Sequence, residues 1–293
     1  MQGSARSASP GSAGLGRRAL RELATRHDIR PTKALGQHFL ADPNLARRIA
    51  ALAGAEPGAR VLEIGAGLGS LTVALASTGA EVLAVELDRG LAPALAEVVA
   101  PFPNVRVEIL DALRADWSSL LVGTGWTMAS NLPYNVAVPI VMQMLEGAPQ
   151  IGSYVVMVQR EVGERIVAGP GEDAYGAVSA KIAFFARAKL LRRVPPTVFW
   201  PEPTVGSVLV GLTPRPAPVD VDRAALFEVI EEGFAERRKT MSNALRRMGL
   251  DAAEAAEVLR SCGIGPKARA EELDLTAFAA LTSAVRATRR EDP

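Results

Sequence analysis

The sequence predicts an α/β fold, a doubly wound parallel sheet followed by a small all-helical C-terminal domain. Three observations predict it. The chain has 293 residues, 48% of them hydrophobic and 22% charged, which is enough for one large core domain plus a smaller partner and argues against wholesale disorder. From about residue 60, short β-rich runs alternate with amphipathic stretches at the spacing of strand, helix, strand units. Beyond residue 220 only helical periodicity remains.

Residues 1–16 are rich in Ser, Gly and Ala without apolar periodicity and are expected to form a disordered tail. A basic helical segment follows, carrying Arg17, Arg18, Arg21, Arg26, Arg30, Lys33, Arg47 and Arg48. The strand-like runs are Val61–Ile64, Glu81–Val85, Val105–Leu110 and Trp126–Ser130, with helical patterns at Leu68–Ser77 and Leu91–Val99 between the first three. Ser153–Val158 reads as a further strand, and Val208–Leu212 as the one that closes the sheet. Pro214, Pro216 and Pro218 form a linker, so the domains are expected at 17–217 and 218–293. In such sheets ligands collect at the carboxyl ends of the strands.

Composition removes several classes of chemistry. The single cysteine, Cys262, cannot form an internal disulfide, and with only His27 and His38 a histidine-based metal site is not expected. No window reaches the roughly 18 uncharged apolar residues of a membrane span, and residues 1–16 carry no secretory h-region, so a cytoplasmic protein without a membrane partner is expected, with a monomer as the default. The net charge of +1 is uninformative, but its distribution is not: a second basic set lies at Lys189, Arg192 and Arg193, and a third at Arg237, Arg238, Lys239, Arg246 and Arg247. These fit phosphate contacts or the solvated faces of ordinary helices.

The strand ends carry the chemistry. Glu63-Ile64-Gly65-Ala66-Gly67-Leu68-Gly69 is a glycine-rich turn between a strand and a helix, where the backbone can approach a ligand and helix N–H groups stand free. Ser70 occupies the third glycine position of the dinucleotide fingerprint, and the G-x-G-x-G form suits S-adenosylmethionine; a plain tight turn is the alternative. Glu86, about 20 residues on, can accept hydrogen bonds from both ribose hydroxyls, while Asp88 reads as a cap of the next helix. Asp111 can accept the exocyclic N–H of an adenine. Asn131-Leu132-Pro133-Tyr134 offers a side-chain and a backbone carbonyl to an amine, a stiff turn, and an aromatic face worth roughly 1–3 kcal/mol to a stacked base.

Taken with Lys33-Ala34-Leu35-Gly36-Gln37-His38-Phe39-Leu40, these motifs resemble, in order and spacing, the ribosomal RNA adenine N6,N6-dimethyltransferase family. Val198–Ser207 is similar to that family's Phe-x-Pro-x-Pro segment, and Arg237-Arg238-Lys239-Thr240, Asn243-Ala244-Leu245 and Arg269–Leu273 to its C-terminal signatures. The likeness covers about residues 30–280. It implies a Rossmann-like class I S-adenosylmethionine-dependent methyltransferase sheet, with S-adenosylhomocysteine as product and no metal. It implies that His38 and Leu40 contact the methionine moiety, Gly65 supplies the cradle, Glu86 holds the ribose and Asp111 the adenine. Gln37, Gly67 and Ala112 complete the cofactor set, and Asn131 serves both cofactor and target amine. Leu132 and Pro133 shape the catalytic turn, and Phe199 sandwiches a flipped adenine against Tyr134. Arg237, Arg238 and Lys239 are expected RNA contacts.

The implied substrate is a pair of adjacent adenosines in the 3'-terminal hairpin of 16S rRNA, within the immature 30S subunit. The alternatives are a 23S rRNA adenine methyltransferase of the macrolide-resistance type and a mainly non-catalytic small-subunit assembly factor. The sequence departs from the family pattern at His38, usually Asn; at Ala66, usually Pro; and at Thr204 and Gly206, usually Lys and Asp.

Overall fold

The computed structural model describes residues 14–31, 37–236 and 238–291. Residues 1–13 of the expected tail, the Lys33–Gly36 part of the N-terminal motif, and Arg237 lie outside them. Two basic-rich helices open the chain, α1 (Arg17–Arg26) and α2 (Pro43–Leu52). Helix α2 starts where Pro43 presets the backbone and the Asp42 side chain accepts the N–H groups of Asn44 and Leu45, satisfying two donors that the first turn leaves orphaned. Between the helices runs β1 (Phe39–Leu40).

The central alternation follows the expected order: β2 (Arg60–Ile64), α3 (Ser70–Ala76), β3 (Glu81–Glu86), α4 (Ala92–Val99), β4 (Val105–Ile109), α5 (Trp117–Leu120), β5 (Trp126–Asn131), α6 (Ala137–Gly147) and β6 (Ile151–Gln159). Strands β2 to β6 pair in parallel in the order β4-β3-β2-β5-β6. Near-continuous Val, Leu and Ala runs suit strands covered on both faces, and all seven residues of α3 are buried. Leu45, Ile49, Leu71 and Leu75 from α2 and α3 pack there with Val61, Val82 and Ala129 from the sheet.

Two expectations about the sheet are corrected. It is mixed rather than parallel, because β9 (Ser207–Pro214) runs antiparallel to β6, with Val156 opposite Val210. Nor does β9 close it: the edge is β7 (Ala186–Val194), which lies beyond β9. The sequence reading saw β7 only as a basic set, since Arg187, Lys189, Arg192 and Arg193 are exposed and mask its β signal. Charged edges of this kind discourage pairing with a second chain.

A short antiparallel ribbon joins β1 to β8 (Phe199–Trp200), pairing Phe39 with Trp200 and Leu40 with Phe199. The Ala41 N–H donates to the Val198 carbonyl at 2.7 Å and extends the ribbon. It fastens the N-terminal segment to the proline-rich one.

The chain divides into two compact units. One runs to Arg160 and takes in Leu190–Leu212; the other comprises Glu161–Lys189 and everything from Thr213. The division thus departs from the expected boundary at 217/218: α8 (Ala177–Phe185) and nearly all of α7 (Arg160–Val167) go with the second unit. The reason is packing, since Tyr175, Ala180 and Phe184 are buried with Leu226, Ile230, Leu245, Leu259 and Phe278. That unit is completed by α9 (Arg223–Ala235), α10 (Met241–Arg247), α11 (Ala252–Ser261) and α12 (Leu275–Glu291). Asp251 and Glu254 form a reciprocal capping box at the start of α11.

Candidate active site

A cavity of about 350 Å³ opens at the carboxyl ends of β2, β3 and β5. The glycine turn after β2 forms its floor. Gly65, Gly67 and Gly69 all take left-handed φ values, +81°, +57° and +83°, a conformation that side-chain-bearing residues rarely adopt. At Gly67 a Cβ would stand 3.0 Å from the Phe39 ring, and at Gly65 one would stand 3.2 Å from Pro133 Cδ. The turn therefore has to be glycine on two counts. Gly67→Ala is expected to lower stability by about 1–3 kcal/mol through left-handed strain and to displace Phe39, a wall of the cavity, as denaturant titration and ligand-binding calorimetry would read.

Glu86 closes the turn from the end of β3. Its Oε2 accepts the Gly67 N–H at 2.7 Å, and its Oε1 accepts the Leu87 and Asp88 N–H groups at 2.8 Å each. Burial raises its pKa above the usual carboxylate value while the backbone donors from Asp88, Gly67 and Leu87 pull it back. Asp88 does not cap α4, as the sequence reading had it. Its Oδ1 accepts the Gly90 N–H and its Oδ2 accepts from the Gln37 side chain at 2.8 Å, which ties the N-terminal segment to the strand end.

The fourth wall is the Asn131–Tyr134 turn. Asn131 Nδ2 donates to the His38 carbonyl at 3.1 Å, so Oδ1 is the atom left as an acceptor. The Leu132 N–H donates to the Met157 carbonyl at 3.1 Å, fixing the turn to β6. Tyr134 is half-buried; its hydroxyl lies 2.9 Å from Ser207 Oγ, and its ring centroid lies 5.3 Å from that of His38, tilted by 31°. His38 is held in turn by the Pro201 carbonyl, 2.8 Å from Nδ1.

Gln37, His38, Gly65, Gly67, Glu86, Asn131, Leu132, Pro133 and Tyr134 thus line one cavity. Other expected residues do not reach it. Phe199 is completely buried in the sheet core, because its β8 register turns it inward beside Leu40, which is likewise buried. Its ring is not offered as a stacking face. Asp111 turns its Oδ1 to the Leu113 N–H at 2.9 Å and its Oδ2 toward Arg114 at 3.6 Å, and the Ala112 carbonyl accepts from Trp117 Nε1. Neither lines the cavity. Leu87, in contrast, went unnoticed in the sequence. It lines the cavity and is 60% exposed, and the available signal was a large apolar residue directly after a strand-end acid.

In the helical unit Arg238 and Lys239 are exposed in the turn between α9 and α10, not at a helix C-terminus. Lys239 borders a surface hollow of about 570 Å³ together with Asn243, Arg246 and Arg247. Arg247 is held by Glu232 and Glu236, at 3.0 Å each. Among the described residues no three His, Cys, Asp or Glu side chains converge on a metal site, and no helix is long and apolar enough to cross a membrane.

Comparison with known proteins gives a consistent picture. The family described as ribosomal RNA adenine dimethylase matches residues 29–285. A protein of Cutibacterium acnes named ribosomal RNA small subunit methyltransferase A is 43% identical over 276 residues, covering 91% of this chain and 93% of its own length. A protein of the same name from Thermobifida fusca is 45% identical, covering 89% and 92%. Among solved structures, a dimethyladenosine transferase from Plasmodium falciparum superposes with a TM-score of 0.71 at 22% identity over 83% of this chain and 96% of that one. The 23S rRNA methyltransferase ErmE gives 0.64 at 24% identity over 85% and 99%. The two structures support the fold alone, an α/β sheet covered by helices.

Proposed function

Because the chain belongs to the ribosomal RNA adenine dimethylase family, we propose that its strand-end cavity binds S-adenosylmethionine and that the protein dimethylates the exocyclic nitrogen of adenosines in ribosomal RNA. The carrying observation is the convergence of the glycine turn, the Glu86 carboxylate and the Asn131–Tyr134 turn on one cavity of about 350 Å³. The relatives at 43% and 45% identity are named for the small subunit, which favours two adjacent adenosines of the 3'-terminal 16S hairpin in the immature 30S particle over a 23S substrate. We place the protein in the cytoplasm as a monomer.

The residues fit that cofactor. Glycines at 65 and 67 leave open the space that a Cβ would fill, and Glu86, fixed by three backbone N–H groups, presents its remaining lone pairs to ribose hydroxyls. Leu87 offers an apolar face to the adenine. Asp111 and Ala112 serve the adenine edge only after the Asp111 carboxylate leaves the Leu113 N–H. When bound, the cofactor supplies an activated methyl group on a cationic sulfur.

This chain's own task is to orient the target amine. An amine conjugated to a purine is a poor nucleophile, and Asn131 Oδ1 with the Leu132 carbonyl accepts its N–H bonds and aims its lone pair along the line of attack. Tyr134, fixed by Ser207 and flanked by His38, is the face on which the extruded adenine stacks. Phe199 stays in the core opposite Leu40. Arg238 and Lys239, with Arg237, contact RNA phosphates, which makes binding weaken as salt rises.

The test is transfer of labelled methyl from S-adenosylmethionine to unmethylated small and large ribosomal subunits, with nucleosides identified by mass spectrometry. N6,N6-dimethyladenosine in the small-subunit hairpin is expected. Label confined to large-subunit RNA would replace the substrate, and no label in either would remove the activity.

A further inference from the structure

Behind the glycine turn lies a second, narrow cavity of about 20 Å³, lined by Glu63, Ser70, Leu40 and the turn itself. Phe39, Gly65, Gly67 and Asn131 line both it and the main cavity, so the two share walls. Two polar side chains stand in it without function in the reading above. Glu63 is 1% exposed, and its Oε2 accepts the Thr72 hydroxyl at 2.6 Å. Ser70 is 5% exposed, and its Oγ has no hydrogen-bond partner among the described residues.

A carboxyl group sealed into a protein interior is costly to ionise unless a cation faces it. No cation does. The other ionisable group acting on Glu63 is Glu86 of β3, itself an acid; α3 contributes the Thr72 and Ser70 hydroxyls, β5 the Asn131 amide, and β1 the apolar Leu40. Burial, with Glu86 adding to it against the Thr72 hydrogen bond, pushes the Glu63 carboxyl up to about 8.

We propose that Glu63 is the buried counter-charge for the cationic cofactor, holding its proton while the adjoining cavity is empty and surrendering it to solvent when a cationic ligand occupies that cavity. The inference rests on the S-adenosylmethionine reading and deepens it. Ser70 Oγ and a water of the size this narrow cavity admits complete the hydrogen bonding of the new carboxylate. With a neutral product in place of the cation, the carboxylate would again be uncompensated, and Glu63 would regain a proton from solvent. The site therefore distinguishes substrate from product by charge.

Calorimetric titration of the full chain in two buffers of different ionisation enthalpy counts the protons released on binding. Glu63→Gln mimics the protonated carboxyl in shape, and the cofactor's own amino group contributes equally to both proteins. The wild type is expected to release up to one proton more than Glu63→Gln with S-adenosylmethionine, and distinctly less with S-adenosylhomocysteine. Its affinity for S-adenosylmethionine, relative to the variant's, should rise by up to about tenfold per pH unit below about pH 8.

Equal proton counts in two proteins that both bind would overturn the proposal while leaving the cofactor assignment standing. No binding by the wild type would overturn both. If Glu63→Gln does not fold, infrared difference spectra of the wild type decide: the carbonyl stretch of a protonated carboxyl, assigned to Glu63 by its shift in Thr72→Val, disappears on adding S-adenosylmethionine if the proposal holds and persists if it does not.

Discussion

Asn131→Ala is expected to fold normally and to lose methyl transfer, with kcat reduced by about 100-fold or more, the scale on which a single preorganised hydrogen-bonding group acts in a transition state. The fold loses little because the one hydrogen bond at stake, from Nδ2 to the His38 carbonyl, is worth about 1 kcal/mol. The reaction loses much because the proposed mechanism makes Oδ1 the side-chain acceptor that orients the amine. The rate should fall in single turnover, with the cofactor's dissociation constant altered far less, since the glycine turn and Glu86 remain. Thermal unfolding and circular dichroism establish the intact fold, and quenched-flow transfer to RNA reads the chemistry. Turnover near the wild-type level would take Asn131 out of the mechanism.

Phe199→Ala should strongly lower stability, costing about 3–5 kcal/mol as a fully buried aromatic truncated in a core. The same placement predicts that Phe199→Leu, which refills much of the volume, keeps methyl transfer within a few-fold of wild type once folded. A ring that instead stacks on the target adenine gives the opposite pattern, in which Phe199→Leu has an unchanged melting temperature and a collapsed rate. Measuring both quantities on both variants separates the two roles. The second pattern would show that β8 rearranges when RNA binds, exposing a face that the present register turns inward.

The portion of the site that could be read from the chain is the portion carried by local signals. A glycine turn that follows a β-rich run, an acid about 20 residues later and an Asn-x-Pro-Tyr turn each sit at a strand end, and strand ends in parallel sheets converge. Phe199, Leu40 and Asp111 do not line the main cavity, for a different reason. Phe199 and Leu40 face each other in a ribbon between segments 160 residues apart, and which way their side chains point follows from that pairing rather than from neighbouring residues. Asp111 is diverted by the Leu113 N–H two residues ahead, a turn that competes locally with any ligand.

The sheet shows the same divide between local and distant determinants. Strands β2, β3 and β6 announce themselves by Val, Leu and Ala runs bounded by turns, as buried parallel strands do. The edge strand β7 carries its β pattern under four exposed cations, and the reversal of β9 is a property of how the chain returns, which periodicity does not encode. Helices α7 and α8 join the C-terminal unit through Tyr175 and Phe184, contacts with residues that come much later in the chain.

The ribbon between β1 and β8 also sets an order of events during synthesis. His38, on one wall of the strand-end cavity, is anchored by the carbonyl of Pro201, 163 residues downstream, and the β8 strand that buries Leu40 is equally late. A growing chain translated through β6 already holds the glycine turn, Glu86 and Asn131, yet its N-terminal wall, tied by the Gln37–Asp88 and Asn131–His38 hydrogen bonds, lacks its β8 partner and the Pro201 anchor. Closing so long a loop carries an entropy cost that earlier contacts must offset. A nascent polypeptide stalled short of residue 200 should therefore display a sheet without a finished ligand pocket, and cofactor affinity should appear only once the ribbon has emerged from the tunnel of the ribosome making it.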